Sequence, residues 1–292
     1  MRLGEHGRVS NLSAGRFVPM SGSQQLTVAE ANRRLYAQIA ERYDSSEDCV
    51  VDPRLRERLR DALAQAVALL SDGARVLDAC GGSGNASLML SEMGLSPLTV
   101  DLSPEMLAIY ERKARAAGYA PRTEVAEIET FLRSGDEPFD MVVFSSALHH
   151  MDDYASVVEL ALDRLAPGGV LVTMFDPSPA GPVARRFGRI DYVLHVLVHS
   201  PRRVPRLVAS RLGRHRHDHG PPAAAGAEVG ALAERHAATG VDDADLVRRI
   251  VARGGRVLAH PRYTEARFAL TRALLRLFRV KNSFSLIARL PD

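Results

Sequence analysis

The feature that most constrains this chain is an apolar segment that ends in an acid and continues through a cluster of glycines. Residues 75–79 have the pattern of a buried β-strand, and residues 80–84 separate it from a helical pattern that begins at Asn85. Glycine lets a backbone pass close to a ligand at a point where a Cβ atom would collide with it. The segment therefore predicts a strand–turn–helix unit with a ligand bound at the turn.

A second acid lies at the end of the next predicted strand. Asp101 follows Asp78 by 23 residues, and an acid at about that distance from a glycine turn is placed to accept hydrogen bonds from ribose hydroxyls. A nicotinamide dinucleotide would need a third glycine where this chain has Ser87, and Asp78 is a poor neighbour for a pyrophosphate. Because Asp78 suits an ammonium group instead, the pattern favours a different ribose-containing cofactor.

Strand and helix patterns alternate along the chain, and this alternation predicts a doubly wound, parallel α/β sheet. Two helices, over residues 26–42 and 53–70, precede the first strand. Residues 268–278 are compatible with either a helix or a long excursion. The predicted strands cover residues 75–79, 96–102, 122–128, 139–145, 170–175, 256–263 and 283–290, with crossover helices over residues 85–93, 104–117 and 154–165.

Five motifs occur in order along the chain: Leu77-Asp78 with Gly82 and Gly84, residues 101–107, Glu127, residues 139–150 and residues 165–169. Together they resemble the motifs of the class I S-adenosylmethionine-dependent methyltransferases, in particular the enzymes that act on small molecules. The resemblance implies a seven-stranded, mostly parallel, Rossmann-like sheet with N-terminal helices, a helical cap inserted after strand 5 and an antiparallel last strand. Cys80 departs from the family pattern because it occupies the position of the first glycine.

The resemblance also implies S-adenosyl-L-methionine as the cofactor and gives its parts separate contacts. Asp78 is expected to hold the ammonium group, and Asp101 the ribose hydroxyls. Glu127 is expected to accept a hydrogen bond from the adenine amino group, while Leu102 and Met106 pack on the adenine ring. The complete predicted cofactor site comprises Asp78, Ala79, Cys80, Gly82, Gly84, Asp101, Leu102, Met106, Glu127, Ile128, Ser145 and Tyr43.

Two adjacent histidines follow strand 4, at the carboxyl ends of the strands, where open α/β sheets bind ligands. Methyl transfer needs a base only when the nucleophile carries a proton, as a phenol with a pKa of about 10 does. His149 and His150 are the predicted candidates for that base, without preference, and a role in shaping the pocket stays an alternative. Asp152, Asp153 and Asp176 are other polar groups expected at this edge, and no metal ligands are predicted.

Arginine is concentrated in one segment of the chain. Residues 185–219 contain nine arginines and five histidines but only two aspartates. Three interpretations of this segment stay open: a lid over the substrate, an amphipathic surface for a membrane through residues 183–216, and a contact in a homodimer. The predicted organisation is a disordered tail over residues 1–25, a methyltransferase core over residues 26–178, a basic and apolar cap over residues 179–227, and the rest of the core over residues 228–292.

The remaining sequence features restrict the cellular location and the partners that we expect for the protein. Cys49 and Cys80 are the only cysteines and lack metal or disulfide spacing, which favours a reducing, cytoplasmic location. No apolar run reaches the roughly 18 residues of a membrane span, and nucleic acid is not expected because aromatics do not interleave the basic residues.

The predicted function is O-methylation of a small molecule in secondary metabolism. C-methylation of a quinone or lipid precursor at a membrane surface, and cofactor binding without methyl transfer, stay as alternatives.

Overall fold

A computed structural model gives the fold over residues 26–179, 181, 186–188, 190, 191, 194, 227–237 and 239–292. The predicted tail, residues 1–25, and most of the predicted cap lie outside these described residues. Within them, no helix combines the length and the apolar character that crossing a membrane requires.

The described residues build one mixed β-sheet. Its strands are β1 (Val76–Ala79), β2 (Leu98–Asp101), β3 (Arg122–Val125), β4 (Phe139–Ser145), β5 (Leu165–Pro177), β6 (Arg256–Ala259), β7 (Arg262–Tyr263) and β8 (Ser283–Arg289). They lie in the order β3-β2-β1-β4-β5-β8-β6, and β7 also pairs with β8. Strands β1 to β5 pair in parallel, whereas β8 is antiparallel to β5, β6 and β7. The predicted doubly wound sheet with an antiparallel last strand is therefore confirmed.

Helices cover both faces of the sheet, and several begin where the sequence signals predict. Pro104 is the first residue of its helix, and the hydroxyl oxygen of Ser103 accepts a hydrogen bond from the Met106 N–H at 3.3 Å. A short 3-10 helix, Leu148–His150, follows β4. The α-helices are α1 (Val28–Ser46), α2 (Asp48–Val51), α3 (Pro53–Val67), α4 (Asn85–Glu92), α5 (Pro104–Ala116), α6 (Ile128–Ser134), α7 (Tyr154–Asp163), α8 (Ala227–Ala233), α9 (Asp243–Ala252) and α10 (Ala269–Leu277).

The predicted sixth strand, residues 256–263, is divided in two, which gives the sheet eight strands instead of seven. Its two parts, β6 and β7, both pair with β8, and the register shifts between Val257 and Ala259. Pro261 lies between the parts and has no N–H to donate to a ladder, so the pairing is interrupted there. The divided strand changes the edge of the sheet and leaves the order of β1 to β5 unaffected.

Two other boundaries differ from the sequence prediction. The strand predicted over residues 122–128 ends at Val125, and Ile128 instead begins α6, a helix that the sequence analysis missed. The buried side chains of Ile128 and Leu132 pack α6 against the core. Strand β5 begins at Leu165 rather than Val170, because Leu165 already pairs with Phe139 of β4 before a register shift.

The central strands of the sheet are buried on both faces, and this burial fixes where a ligand can approach. All four residues of β1 are buried; Leu77 faces the side covered by α7, and Val76 faces the side covered by α3 and α4. Such two-sided burial explains the continuous apolar runs of parallel strands. The chain order reverses between β1 and β4, and the crevice at such a point, outside the carboxyl ends, is where open α/β sheets bind ligands.

Gly84 offers a test of how tightly the turn after β1 is packed. Its φ is +78°, and a Cβ atom there would lie 2.0 Å from Cδ2 of Tyr110. We expect Gly84→Ala to lower the free energy of unfolding by about 2–5 kcal/mol, combining left-handed strain with overpacking. Gly94 is the matched control, since its φ is +88° but a Cβ atom would meet nothing within 4 Å.

Gly94→Ala should therefore lose only the strain, about 1–2 kcal/mol. Denaturant unfolding of both variants checks the difference, and equal losses would show that Tyr110 does not confine the turn.

Candidate active site

A cavity of about 450 Å³ lies at the carboxyl ends of β1, β2 and β4, with α1 along one side. Two of the predicted cofactor residues do not line it: Ala79 is fully buried within β1, and Gly84 packs against Tyr110. The structure brings the other ten together around this cavity. They are Tyr43, Asp78, Cys80, Gly82, Asp101, Leu102, Met106, Glu127, Ile128 and Ser145.

The glycine turn presents its backbone to the cavity. Gly82 has a φ of +52°, and a Cβ atom there would lie 3.2 Å from Cε of Met106. Cys80 also has a positive φ, 58°, which is uncommon for a residue with a side chain. Cys80 therefore keeps the backbone conformation that a glycine would adopt more easily, and its small thiol lines the cavity.

Asp101 joins the glycine turn to the start of α5. Its carboxylate accepts hydrogen bonds from the N–H of Gly82 at 2.9 Å and from the N–H of Ser103 at 2.8 Å. Burial raises the pKa of Asp101 to about 6, against the lowering effect of these backbone donors. The carboxylate is thus held in one orientation at the edge of the cavity, as an acceptor for hydroxyl groups.

Asp78 has one oxygen bound and one oxygen without a partner. Its Oδ2 accepts hydrogen bonds from Ser87, from the N–H at 3.0 Å and from the hydroxyl at 2.6 Å. Its Oδ1 is buried and has no hydrogen-bond partner among the described residues. Burial raises the pKa of Asp78 to about 6, despite the lowering effect of Ser87. A buried carboxylate with an open acceptor site suits a cationic group.

The long helix α1 closes one side of the cavity. Tyr36 and Tyr43 lie edge to face with ring centroids 5.9 Å apart, and both line the cavity. Near the end of α1, the Asp44 carboxylate accepts hydrogen bonds from Ser83 Oγ at 2.5 Å and from Lys113 Nζ at 2.6 Å. Asp44 therefore fixes α1 to both the glycine turn and α5. The sequence carries no signal for this link, because its three members belong to separate elements.

Glu127, the residue predicted to contact adenine, has two other glutamates close to it in the chain, Glu124 and Glu129. Glu127 and Glu129 line the cavity at the start of α6, whereas Glu124 lies exposed on β3 and does not. Glu127 also accepts a hydrogen bond from the hydroxyl of Thr130 at 3.1 Å. Ile128, between the two cavity glutamates, is buried against the core.

The two histidines differ sharply in their surroundings: His150 lines the cavity, whereas His149 is buried beside it and does not line it. Within the buried pair of His149 and Asp176, ring nitrogen Nδ1 lies 2.8 Å from Asp176 Oδ1, which also accepts the backbone N–H of His149 at 3.1 Å. Burial lowers the pKa of His149, but the hydrogen bond and charge of Asp176 outweigh burial and leave that pKa above its ordinary value. Because a carboxylate only accepts, Nδ1 carries the proton and Nε2 keeps a lone pair while the ring is neutral.

His150 lines the cavity and has protein partners at both ring nitrogens. Its Nδ1 lies 3.1 Å from the carbonyl oxygen of Ala233, so Nδ1 donates and Nε2 accepts the hydroxyl of Tyr36 at 2.9 Å. Burial, together with the adjacent His149, lowers the pKa of His150 to about 4. His150 is therefore neutral at pH 7 and holds α1 and α8 at the cavity.

Asn32 and Glu234 are site residues that sequence reasoning missed. The side-chain amide of Asn32 donates a hydrogen bond to the carbonyl oxygen of His150 at 2.8 Å, and Asn32 lines the cavity. Glu234 lies 3.8 Å from His149 Nε2 and 3.9 Å from His150 Nδ1. The candidate metal-ligand atoms of His149, His150 and Glu234 all lie within 4.8 Å of one another. Both ring nitrogens of His150 are already engaged in hydrogen bonds, however, and the absence of a metal stays a prediction.

Comparison with known proteins gives the family. A family model described as a methyltransferase domain matches residues 51–220. Demethylmenaquinone methyltransferase of Thermus thermophilus is 35% identical over 153 residues, which are 50% of this chain and 67% of that protein. The chain belongs to the S-adenosylmethionine-dependent class I methyltransferases, as the motifs indicated.

Other similarities are more limited. The tRNA 5-carboxymethoxyuridine methyltransferase of Escherichia coli K12 is 31% identical over 35% of this chain, and the match spans only 40% of that relative. The crystal structure of magnesium protoporphyrin IX methyltransferase from Synechocystis PCC 6803 with bound S-adenosylmethionine has a TM-score of 0.53. It is 14% identical, over 92% of this chain and 99% of that one. This structural similarity supports the fold alone.

Asp101 gives the first test of the cofactor site. We expect Asp101→Ala to weaken binding of S-adenosylmethionine by about 1.5–3 kcal/mol, the range for hydrogen bonds to a charged group. Calorimetric titration measures the change, and Glu124→Ala, which removes an exposed acid that does not line the cavity, should leave the affinity unaltered. Equal affinities for the two variants would contradict a ribose contact at Asp101.

The pH dependence of cofactor binding gives the second test. Asp78 and Asp101 both have a pKa of about 6, so both are ionised above that pH and become protonated below it. Since only the ionised carboxylates suit an ammonium group and ribose hydroxyls, the dissociation constant should rise about tenfold per pH unit for each carboxyl below pH 6. A dissociation constant that stays the same between pH 5 and pH 7.5 would contradict this assignment.

Proposed function

We propose that this chain transfers a methyl group from S-adenosylmethionine to an oxygen atom of a small molecule, with His149 as the base. One observation carries the choice of base: His149 and Asp176 form a buried, hydrogen-bonded pair at the end of β4 and β5. An acceptor that needed no base would leave a buried acid beside a buried histidine without a chemical use. We also propose a cytoplasmic enzyme of secondary metabolism.

The cavity fits the proposed cofactor on the chemistry of its donors and acceptors. The unpartnered Oδ1 of Asp78 suits the ammonium group, and the fixed carboxylate of Asp101 suits the ribose hydroxyls. The side of Gly82 that lacks a Cβ leaves the backbone open to a ligand. Leu102, Met106 and Ile128 supply apolar surface for an adenine ring. S-Adenosylmethionine, when bound there, supplies an electrophilic methyl group on a sulfonium.

His149 would take the proton of the acceptor hydroxyl as the new carbon–oxygen bond forms. Its Nδ1–H donates to Asp176, which fixes the tautomer and stabilises the imidazolium once the proton has moved. The pKa of His149 is raised above its ordinary value, and a base whose pKa lies near the working pH is effective against a phenol. His150, neutral and bound at both nitrogens, would position α1 instead of moving the proton.

C-methylation of a quinone precursor is the second candidate function, and the relative from Thermus thermophilus favours it. That protein is named a demethylmenaquinone methyltransferase, and this chain matches 67% of its length. The same base would serve, because removing a hydroxyl proton from a hydroquinone makes its ring carbon nucleophilic. After that carbon has taken the methyl group, it loses its own hydrogen as a proton and the oxygen is reprotonated. The two candidates therefore differ in the atom that receives the methyl group, and only the product distinguishes them.

The experiment supplies S-adenosylmethionine with phenolic acceptors and with a demethylated quinol, and identifies the methylated atom by mass spectrometry and NMR. For the wild type, we expect kcat/KM to rise with pH through a pKa above 6.5, because His149 must lose its proton to act. Asp176→Asn should lower kcat by about 10²-fold or more and shift the profile to lower pH. Asp163→Asn, an exposed acid on α7, is the control and should behave as the wild type.

Three results would overturn parts of the proposal. An unchanged rate and profile for Asp176→Asn would remove His149 as the base. A methyl group found on carbon would replace the first candidate by the second. Tight cofactor binding with no methylated product from any acceptor would favour the remaining alternative, cofactor binding without methyl transfer.

A further inference from the structure

Helix α10 exposes large apolar side chains to solvent. The exposed fraction is 66% for Leu270, 75% for Leu277 and 57% for Phe278. Residues seven and eight positions apart lie on the same face of an α-helix, so the three side chains form one apolar stripe. Contiguous exposed apolar surface of this kind marks an interaction site more often than a freely solvated face.

The charged side chains of α10 and of the residues directly beside it in the chain are all positive. Residues 267–281 contain five basic residues and no aspartate or glutamate. Arg276, Arg279 and Lys281 are exposed next to the apolar stripe. A helix with one apolar face and basic flanks has the character of an element that lies in the interface of a membrane with anionic lipids. An acidic protein surface would match the charge, but it would not by itself call for a continuous apolar stripe.

The helix packs on the protein by its other face, where Thr271 and Leu275 are buried. The guanidinium group of Arg272 donates hydrogen bonds to the carbonyl oxygens of Ala266 at 2.6 Å and Arg267 at 2.8 Å, which fixes the segment that leads into the helix. The exposure of the apolar stripe is therefore not caused by a misoriented helix. It is the outer face of a helix whose inner face is already packed.

The apolar surface continues into the described part of the predicted cap. The rings of Phe187 and Phe278 lie 5.5 Å apart, and Ile190 is 47% exposed. Asp191 accepts hydrogen bonds from the N–H groups of Arg267 at 2.9 Å and Phe268 at 3.2 Å, which ties the cap to the start of α10. The two segments thus present a joint surface.

The same surface is connected to the cavity. The guanidinium group of Arg267 donates to Asp48 of α2 at 2.7 Å, and the next residue, Cys49, lines the cavity. A partner bound to α10 would therefore also lie close to α2, on the side of the cavity that α1 and α2 form.

We infer that α10 and the residues that follow it, from Leu270 to Lys281, dock the protein on the surface of an anionic lipid bilayer. The apolar stripe would enter the boundary between headgroups and acyl chains, and the exposed basic residues would contact the headgroup phosphates. This inference does not depend on the proposed function, because binding to lipid requires neither the cofactor nor an acceptor.

The test is co-sedimentation of the full chain, without cofactor, with vesicles of phosphatidylcholine alone or mixed with phosphatidylglycerol. We expect binding to the mixed vesicles that weakens as salt increases. The double variant Leu277→Ser/Phe278→Ser should reduce partitioning about tenfold or more, through loss of buried apolar area. Arg276→Gln/Arg279→Gln should reduce it about tenfold and also flatten the salt dependence.

The matched control places the same kinds of change on α9. Val251 is 56% exposed there, and Arg248 is exposed beside it, but this helix also carries acids. Arg248→Gln/Val251→Ser should bind vesicles as the wild type does. Thermal unfolding of each variant verifies that the fold is retained, and Leu270→Ser provides an independent change in the same stripe.

Two outcomes would overturn the inference. Equal binding of the wild type and the α10 variants to mixed vesicles would show that another surface, or none, contacts lipid. A dimer that forms without vesicles and dissociates in the Leu277→Ser/Phe278→Ser variant would assign the apolar stripe to a second copy of the chain.

Discussion

The site depends on one carboxylate, that of Asp101, and on the hydrogen bonds that it accepts from two backbone N–H groups. Gly82 belongs to the turn after β1 and Ser103 to the turn after β2, so a single side chain sets the distance between two crossover units. The parallel pairing of β1 with β2 brings the ends of both strands to the same edge. Without that acceptor, two N–H donors at the edge of the cavity would need other partners, and the turn would lose its fixed position.

The acids that hold this arrangement weaken the fold that contains them. Burial raises the pKa of Asp78 from its usual 3.8 to about 6, which corresponds to a cost on the order of 3 kcal/mol for keeping that carboxylate ionised at neutral pH. The folded state therefore binds more protons than the unfolded state between these two values, and the contribution of Asp78 to stability falls as pH rises through that window. A cationic ligand bound at Asp78 would offset the cost, so the proposed cofactor contact would couple the stability of the fold to ligand binding at the same atoms.

The residues that could be predicted from the sequence lie in local patterns, and the residues that were missed do not. Asp78 and the glycines belong to one short strand–turn–helix segment, and Asp101 belongs to another. Within each segment, the spacing along the chain is enough to predict where these residues lie. Asn32 and His150 are 118 residues apart, and the contact exists only because α1 folds across the ends of the strands. Helix α6 was missed for a different reason: its seven residues are too few for helical periodicity to distinguish them from a strand. The strand predicted over residues 256–263 could have been divided at Pro261.

Adjacent residues of the same type acquire opposite chemistry from what they contact. His149 meets a carboxylate that is buried with it, so its protonated form is stabilised and its Nε2 is kept as an acceptor. His150 meets a carbonyl oxygen and a tyrosine hydroxyl, neither of which carries a charge, so burial dominates and its pKa falls to about 4. No spacing rule distinguishes the two positions, because the difference arises from Asp176 at the end of β5 and from α8. In the proposed mechanism, the paired histidines after the fourth strand would therefore have different roles, His149 as the base and His150 as a structural hydrogen-bonding residue, and their contacts in the fold make this difference.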